Sequence, residues 1–199
     1  MKPKNGKRPL KNLLDFISEA GMLKRVRRSG WSVLGIENAE SVAEHSFRTG
    51  VLGYLMAHTE KVFPYKVLLM TLFNDIHEAR IGDLHKMAQG YIDLRPAEDK
   101  AFAEQICSLP KAIKTELATL RREYNRQRSK ASIIARDADI LECLLQAKEY
   151  REQGFLQADK FMKKAPRFLK TNSARRLWRS AKGMNLSDWW PGLSRFKRK

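Results

Sequence analysis

Pro64-Tyr65-Lys66-Val67-Leu68-Leu69-Met70-Thr71-Leu72-Phe73-Asn74-Asp75-Ile76-His77-Glu78-Ala79-Arg80-Ile81-Gly82-Asp83 is the stretch on which the reading of this chain turns. Proline suits the first helical position, where its missing N–H costs nothing. Leu68, Leu69, Leu72 and Phe73 follow at helical spacing. The pattern predicts a helix from Pro64 to about Glu78 or Ala79, stopped before Gly82. An apolar face thus runs directly into Asn74, Asp75, His77, Glu78 and Asp83, a dense group of metal-binding and titratable side chains.

The same helical spacing extends outward in both directions. Leu10, Leu13, Leu14, Ile17 and Met22 predict a first helix after a basic tail. Arg27 to Glu40, with Gly30 and Gly35, reads as a loop. Ser41-Val42-Ala43-Glu44 has the capping-box pattern, so a helix runs from there towards His58. Pro96 and Pro110 each introduce another. Ser129 caps a long helix through Ile133, Ile134, Ile140, Leu144 and Leu145, which Gly154 stops. Asn172 or Ser173 caps a last one. Trp178, Trp189 and Trp190 read as anchors that pin the C-terminal tail to the core. With no internal repeat and no low-complexity linker, the expectation is one all-α domain over residues 10–193. It has five or six main helices and basic tails at 1–9 and 194–199.

Composition narrows the class. Only Cys107 and Cys143 are present, without Cys-x-x-Cys spacing, which argues against a disulfide scaffold or thiolate zinc site and suits a reducing cytoplasm. No apolar run approaches the roughly 20 residues a bilayer span needs, so no membrane association is expected. The net charge of +17 is uneven. Residues 1–28 hold nine Lys/Arg against two acids, residues 160–199 thirteen against one, and residues 29–159 seventeen against nineteen. Such ends bind nucleic acid weakly or simply keep the surface solvated.

Three side chains from separate predicted helices carry the chemistry. His45 follows the capping box, Asp75 ends an apolar helix, and Asp139 lies within Arg136-Asp137-Ala138-Asp139-Ile140-Leu141-Glu142. A carboxylate among core-facing residues must be paired or must bind a cation. The three side chains either converge on one metal or pair locally, Asp139 with Arg48 or Arg80 and Glu78 with Arg80. An imidazole and two carboxylates suit Mn²⁺, Fe²⁺, Co²⁺, Ni²⁺ or Zn²⁺. Asp137 reads as a supporting acid or a partner of Arg136 or Lys148. His58 and His85 read as exposed or capping.

The order and spacing of several segments resemble the HD-domain phosphohydrolases, most closely their 5′-deoxynucleotidase branch. The segments are Leu23-Lys24-Arg25 through Gly30-Trp31, Glu40 to Ser46, Asn74 to Asp83, Asp137-Ala138-Asp139, Gln146 to Tyr150 and Asp188-Trp189-Trp190. The resemblance implies that His45, Asp75 and Asp139 bind a divalent metal ion, with Asn74 where the family's doublet has histidine. It implies catalytic roles for Glu78 and Asp83, and substrate contacts from Arg28 and Trp31, with Arg25 or Arg27 as alternatives to Arg28. The implied reaction is hydrolysis of a (deoxy)nucleoside 5′-monophosphate by a homodimer.

Asn74 leaves three outcomes open. Its amide oxygen, or a water, completes a site that favours Mn²⁺ or Mg²⁺. His77, one turn further on, supplies the imidazole. Or the site is impaired, and the chain binds nucleotides or nucleic acid without turnover.

Overall fold

The computed structural model describes residues 7–190. Ten α-helices follow one another: α1 (Lys7–Met22), α2 (Val42–Thr59), α3 (Pro64–Leu72), α4 (Glu78–Ile81), α5 (Lys86–Gln89), α6 (Arg95–Ile106), α7 (Lys111–Arg126), α8 (Lys130–Glu152), α9 (Asp159–Lys164) and α10 (Asn172–Lys182). Short 3₁₀ turns lie at Ser29–Leu34, Leu156–Ala158 and Ala165–Phe168, and no strand occurs among the described residues. The all-α expectation is met, with α2, α3 and α8 at the centre. No described helix is long and apolar enough to cross a membrane.

Local rules place the central helices. Ser41 and Glu44 form the expected capping box: the Glu44 N–H donates to Ser41 Oγ (3.2 Å), and the Ser41 N–H donates to the Glu44 carboxylate (2.6 Å). Ser129 caps α8, its Oγ accepting from the Ser132 N–H at 3.1 Å. The core then forms from Val42, Met56, Val67, Ile134, Leu141 and Leu144, all fully buried. α2 lies close against α3 because it carries glycine at the contact. A Cβ on Gly53 would stand 3.0 Å from Thr71 Cγ2 and 3.2 Å from Val67 Cγ1.

The helix from Pro64 is shorter than its apolar pattern suggests. α3 ends at Leu72, a turn occupies 73–77, and Glu78–Ile81 is a separate short helix. Bonds of the i→i+3 kind replace the α ladder: Asn74 N–H to Thr71 O (3.3 Å) and Glu78 N–H to Asp75 O (2.9 Å). Side chains bond to carbonyls of the turn, and Ile76 O also accepts from the Ala79 N–H. Arg121 Nη1 donates to Asn74 O (3.0 Å), and Gln105 Nε2 donates to Ile76 O (2.9 Å). Both partners come from distant helices, so the pattern within the segment gave no sign of the break.

Other expectations need correction at the C-terminal side. Thr171 caps α10, one residue before the expected position, with its Oγ1 accepting from the Ala174 N–H (3.3 Å). Asp137 pairs with neither Arg136 nor Lys148. It is buried and accepts from the backbone N–H of Lys170 and Thr171 and from the Thr171 hydroxyl (2.7 Å). Trp178 is buried, but Trp189 and Trp190 are 72% and 54% exposed and do not pin the tail. The expected tail at 194–199 lies outside the described residues, as do residues 1–6 of the N-terminal tail. Residues 7–9 belong to α1.

Gly53→Val should lower stability by about 2 kcal/mol or more, because α2 and α3 cannot separate cheaply. Gly21→Ala, where nothing lies within 4 Å of the added Cβ, should instead stabilise α1 by up to about 1 kcal/mol. Urea unfolding of both variants beside the parent measures the two effects.

Candidate metal centre

Each of the three expected ligands is delivered by a different element. His45 sits in the first turn of α2, set by the capping box. Asp75 lies in the turn after α3, and Asp139 lies midway along α8. His45 Nε2 is 3.1 Å from Asp139 Oδ1 and 3.5 Å from Asp75 Oδ2. One donor atom from each of the three lies within 4.8 Å of the others, which is the arrangement a cation bound by all three requires.

The outer nitrogen of the imidazole is held as firmly. His45 Nδ1 bonds to the carboxylate of Glu142, which is fully buried. Arg48 Nε donates to Glu142 Oε1 (2.9 Å), while its other nitrogens donate to Glu149 (2.6 Å) and Gln146 (2.6 Å). A carboxylate on one imidazole nitrogen fixes the ring so that the other points at the ligand position. Asp139 is paired with Arg136 at 3.3 Å, not with Arg48 or Arg80. Arg80 pairs with Glu19 and, at 3.2 Å, with Glu104, so it serves neither Asp139 nor Glu78.

Asn74 lies beside the centre, with its Nδ2 donating to Asp75 Oδ1 at 2.6 Å. His77 does not take the place of a missing imidazole. It is buried, with Nδ1 3.1 Å from Asn74 O and 3.2 Å from Arg121 Nη1, and Nε2 3.9 Å from Glu98. His85 caps α5, accepting from the Ala88 N–H, and His58 is exposed in the last turn of α2.

Arg28 joins the centre from the loop before α2. The antiparallel bridge between Arg27 and Ser41, and the bond from Arg28 N–H to Glu40 O (3.0 Å), fix that loop. The Arg28 guanidinium lies 3.5 Å from Asp83 and donates to Cys143 Sγ at 3.1 Å. Asp83 also accepts from the Ser29 N–H at 2.5 Å. Arg25 and Arg27 are exposed, and Arg27 donates to Ala39 O, so neither stands in for Arg28. Trp31 is 3% exposed and packs on Tyr150 and Phe161, and its indole N–H donates to Glu40 (3.0 Å). It holds the loop that carries Arg28.

The electrostatics fit a cation. Burial and the Arg28 charge work against a proton on His45, yet Asp139, Asp75 and Glu142 hold its pKa well above the usual imidazole value. The carboxylates thus draw positive charge to this position, whether a proton or a cation. Burial also opposes charge on Asp139, but His45 and Arg136 keep it below the ordinary carboxylate range. Glu78 goes the other way: burial, Asp75 and Asp83 push its carboxyl well up, and its Oε2 is buried without a hydrogen-bond partner. An unpartnered buried carboxyl oxygen beside a carboxylate pair is a group that a ligand would satisfy. A second possible ligand group, His45 with Glu142 and Cys143, is less suitable. Glu142 is taken up by Arg48, and burial pushes the Cys143 thiol up to about 11, so it stays protonated.

Sequence reasoning missed the roles of Glu142 and Arg121, and it paired Arg48 with Asp139 and Arg136 with Asp137, where the structure has Arg48 on Glu142 and Arg136 on Asp139. A signal for the first was present. Asp139, Glu142, Gln146 and Glu149 recur at three- and four-residue steps along a helix that is otherwise largely buried.

Glu40 supplies a pH test. Burial and the Glu142 charge raise its pKa to about 7, against His45, Trp31 and Arg28, from an ordinary 4.5. Between those values the unfolded carboxyl has lost its proton while the folded one keeps it. Its contribution is therefore fully present below about pH 4.5 and is lost as pH rises through about 7. Glu40→Gln should match the parent near pH 4.5 and exceed it above pH 7 in denaturant melts of metal-free protein. Parallel profiles for the two would contradict this.

Comparison with known proteins agrees with the geometry. A family model described as the HD domain matches residues 20–178. The 5′-deoxynucleotidase HDDC2 of Xenopus laevis is 32% identical over 143 residues, covering 71% of each chain. The Bos taurus protein of that name is 31% identical over 151 residues, covering 73% of this chain and 71% of its own. Among solved structures, a Pyrococcus horikoshii protein superposes with a TM-score of 0.70 at 29% identity, over 85% of this chain and 96% of that one. A cyanophage HD phosphohydrolase bound to dA and one catalytic Zn²⁺ superposes at 0.52, covering 84% and 96% of the two chains. At 14% identity it speaks for the fold alone. The matched span carries His45, Asp75 and Asp139 together, and the chain belongs to the HD-domain family.

Proposed function

We propose that this chain is a metal-dependent phosphomonoesterase that releases phosphate from nucleoside 5′-monophosphates, with deoxynucleotides preferred. The observation that carries the reading is the meeting of His45 Nε2 with Asp75 and Asp139, next to a half-buried arginine and a carboxyl oxygen that has no partner. The substrate class rests on the similarity to the 5′-deoxynucleotidases above.

His45, Asp75 and Asp139 would hold the cation. When bound, it polarises a phosphate oxygen and acidifies a water. Arg28 stays charged although burial opposes it, since Asp83, Asp75 and Asp139 raise its pKa. Its guanidinium is the donor for phosphate oxygens and for the charge that builds on them. Asp83 keeps it aimed. Glu78 is the proton carrier. As a protonated carboxyl it gives a proton to the leaving 5′-oxygen, and as a carboxylate it takes one from water. The P–O bond to the sugar breaks, a P–O bond to water forms, and the products are nucleoside and inorganic phosphate.

Asn74 suits this site. Rotation of its amide exchanges the N–H now on Asp75 for the carbonyl oxygen, a hard donor that favours Mn²⁺ or Mg²⁺ over nitrogen-seeking ions. The homodimer implied by the resemblance has a surface to use, since Phe47, Val51 and Leu55 lie exposed at four-residue spacing along α2. Cys107 and Cys143 are free thiols, as suits a cytoplasmic protein.

Phosphate release from deoxynucleoside and ribonucleoside 5′-monophosphates, with Mn²⁺, Co²⁺ or Mg²⁺ added, tests the reading. Turnover should depend on the metal, vanish with chelator and fall at least about 100-fold in Asp139→Ala. Equal rates for the parent and Asp139→Ala would overturn it. So would folded, metal-loaded protein that hydrolyses neither class.

A further inference from the structure

Between Asp159 and Asp188 the chain has no acidic residue and nine lysines and arginines. All nine are exposed, and none forms an ion pair among the described residues. The segment is nevertheless firmly built. α10 buries Ala174, Trp178 and Ala181. The acids that reach the segment are spent on its backbone: Asp137 on the N–H groups of Lys170 and Thr171, and Glu60 on that of Ser173. Asp159, at its edge, is taken by Arg151. The cations thus repel one another on a rigid surface, and none of them is neutralised by an acid among the described residues.

Part of this surface is concave. Arg167, Arg175, Arg179 and Lys182 line a cleft of about 380 Å³ with Trp178. Arg175 is oriented by its Nε–H bond to Leu169 O (2.9 Å). The cleft is not the metal centre. Asp137 faces this segment and Asp139 faces His45, and two residues on one helix point about 200° apart. α8 therefore stands between the two sites.

We infer that this face binds a nucleic-acid strand through its phosphate backbone, at a site separate from the metal centre. Guanidinium forks from one rigid cleft match successive phosphodiesters. A bilayer fits less well, because α10 buries Ala174, Trp178 and Ala181 against the core and leaves Leu177 as the one large apolar side chain exposed along its length.

Fluorescence anisotropy of a labelled oligothymidylate against the full chain tests this. Affinity should fall about tenfold or more from low to physiological salt. The triple variant Arg167→Ala, Arg179→Ala, Lys182→Ala removes exposed cations that form no ion pair among the described residues, Arg167 resting only on the Phe168 ring. It should weaken binding at least about tenfold and reduce the salt slope by about 2. The control Lys100→Ala, Lys111→Ala, Lys114→Ala loses the same charge elsewhere and should bind like the parent. Equal loss in the control would overturn the inference in favour of net charge alone. So would binding lost only on removing residues 195–199, tighter binding to phosphatidylserine vesicles at equal phosphate, or no oligonucleotide binding at low salt.

Discussion

Burying negative charge around one imidazole is the constraint on which the rest of this structure depends. Asp75, Glu78, Asp139 and Glu142 all lie in or beside the core, and an isolated carboxylate there is untenable. The fold answers with His45 between three of them, Arg48 on Glu142, Arg136 on Asp139 and Arg28 on the open side. Glu78 is the one carboxyl without such a partner, and burial, Asp75 and Asp83 push its pKa up. A divalent cation relieves the same excess more fully than a proton on His45 can. Function and stability are thus tied to one charge balance.

The geometry around that centre follows from helices that begin and end in set places. The Ser41–Glu44 box fixes the first turn of α2 and so the position of His45. The break after Leu72 turns Asp75 inward, and Arg121 and Gln105 stabilise it by bonding to carbonyls of the turn. Gly82, at φ 76°, lets the chain leave Ile81 sharply, so that Asp83 reaches Arg28. Trp31, Glu40 and Tyr150 form a small packed group under the Arg28 loop. The Glu40 N–H donates to the Tyr150 hydroxyl at 2.8 Å. Each of these supports lies outside the candidate ligand set, and each fixes where one of those side chains or its neighbour points.

What could be read from sequence was what depends on local pattern. Ser41, Ser129, Pro64 and the apolar repeats gave the helices, while His45, Asp75 and Asp139 stood out as ligands only through the resemblance to a known family, and the structure brings the three together. What depends on partners from distant helices could not be read. The early end of α3 needs Arg121 and Gln105 from α7 and α6. The backbone role of Asp137 needs the loop before α10. The turn of His77 away from the centre needs Arg121 and Glu98. The tryptophans at 189 and 190 were assigned to the core on residue type alone, and their exposure shows how little type decides without spacing.

The central claim is that His45, Asp75 and Asp139 bind one divalent cation despite the asparagine at 74. The most direct measurement is the melting temperature of chelator-stripped protein as Mn²⁺ is added, for the parent and for Asp75→Asn. A ligand that binds only the folded state stabilises it by about 2.7 kcal/mol at a hundred times its Kd. The account predicts a saturable rise in the parent and little or none in the variant. The same rise in both, or none in the parent at any concentration, would contradict it.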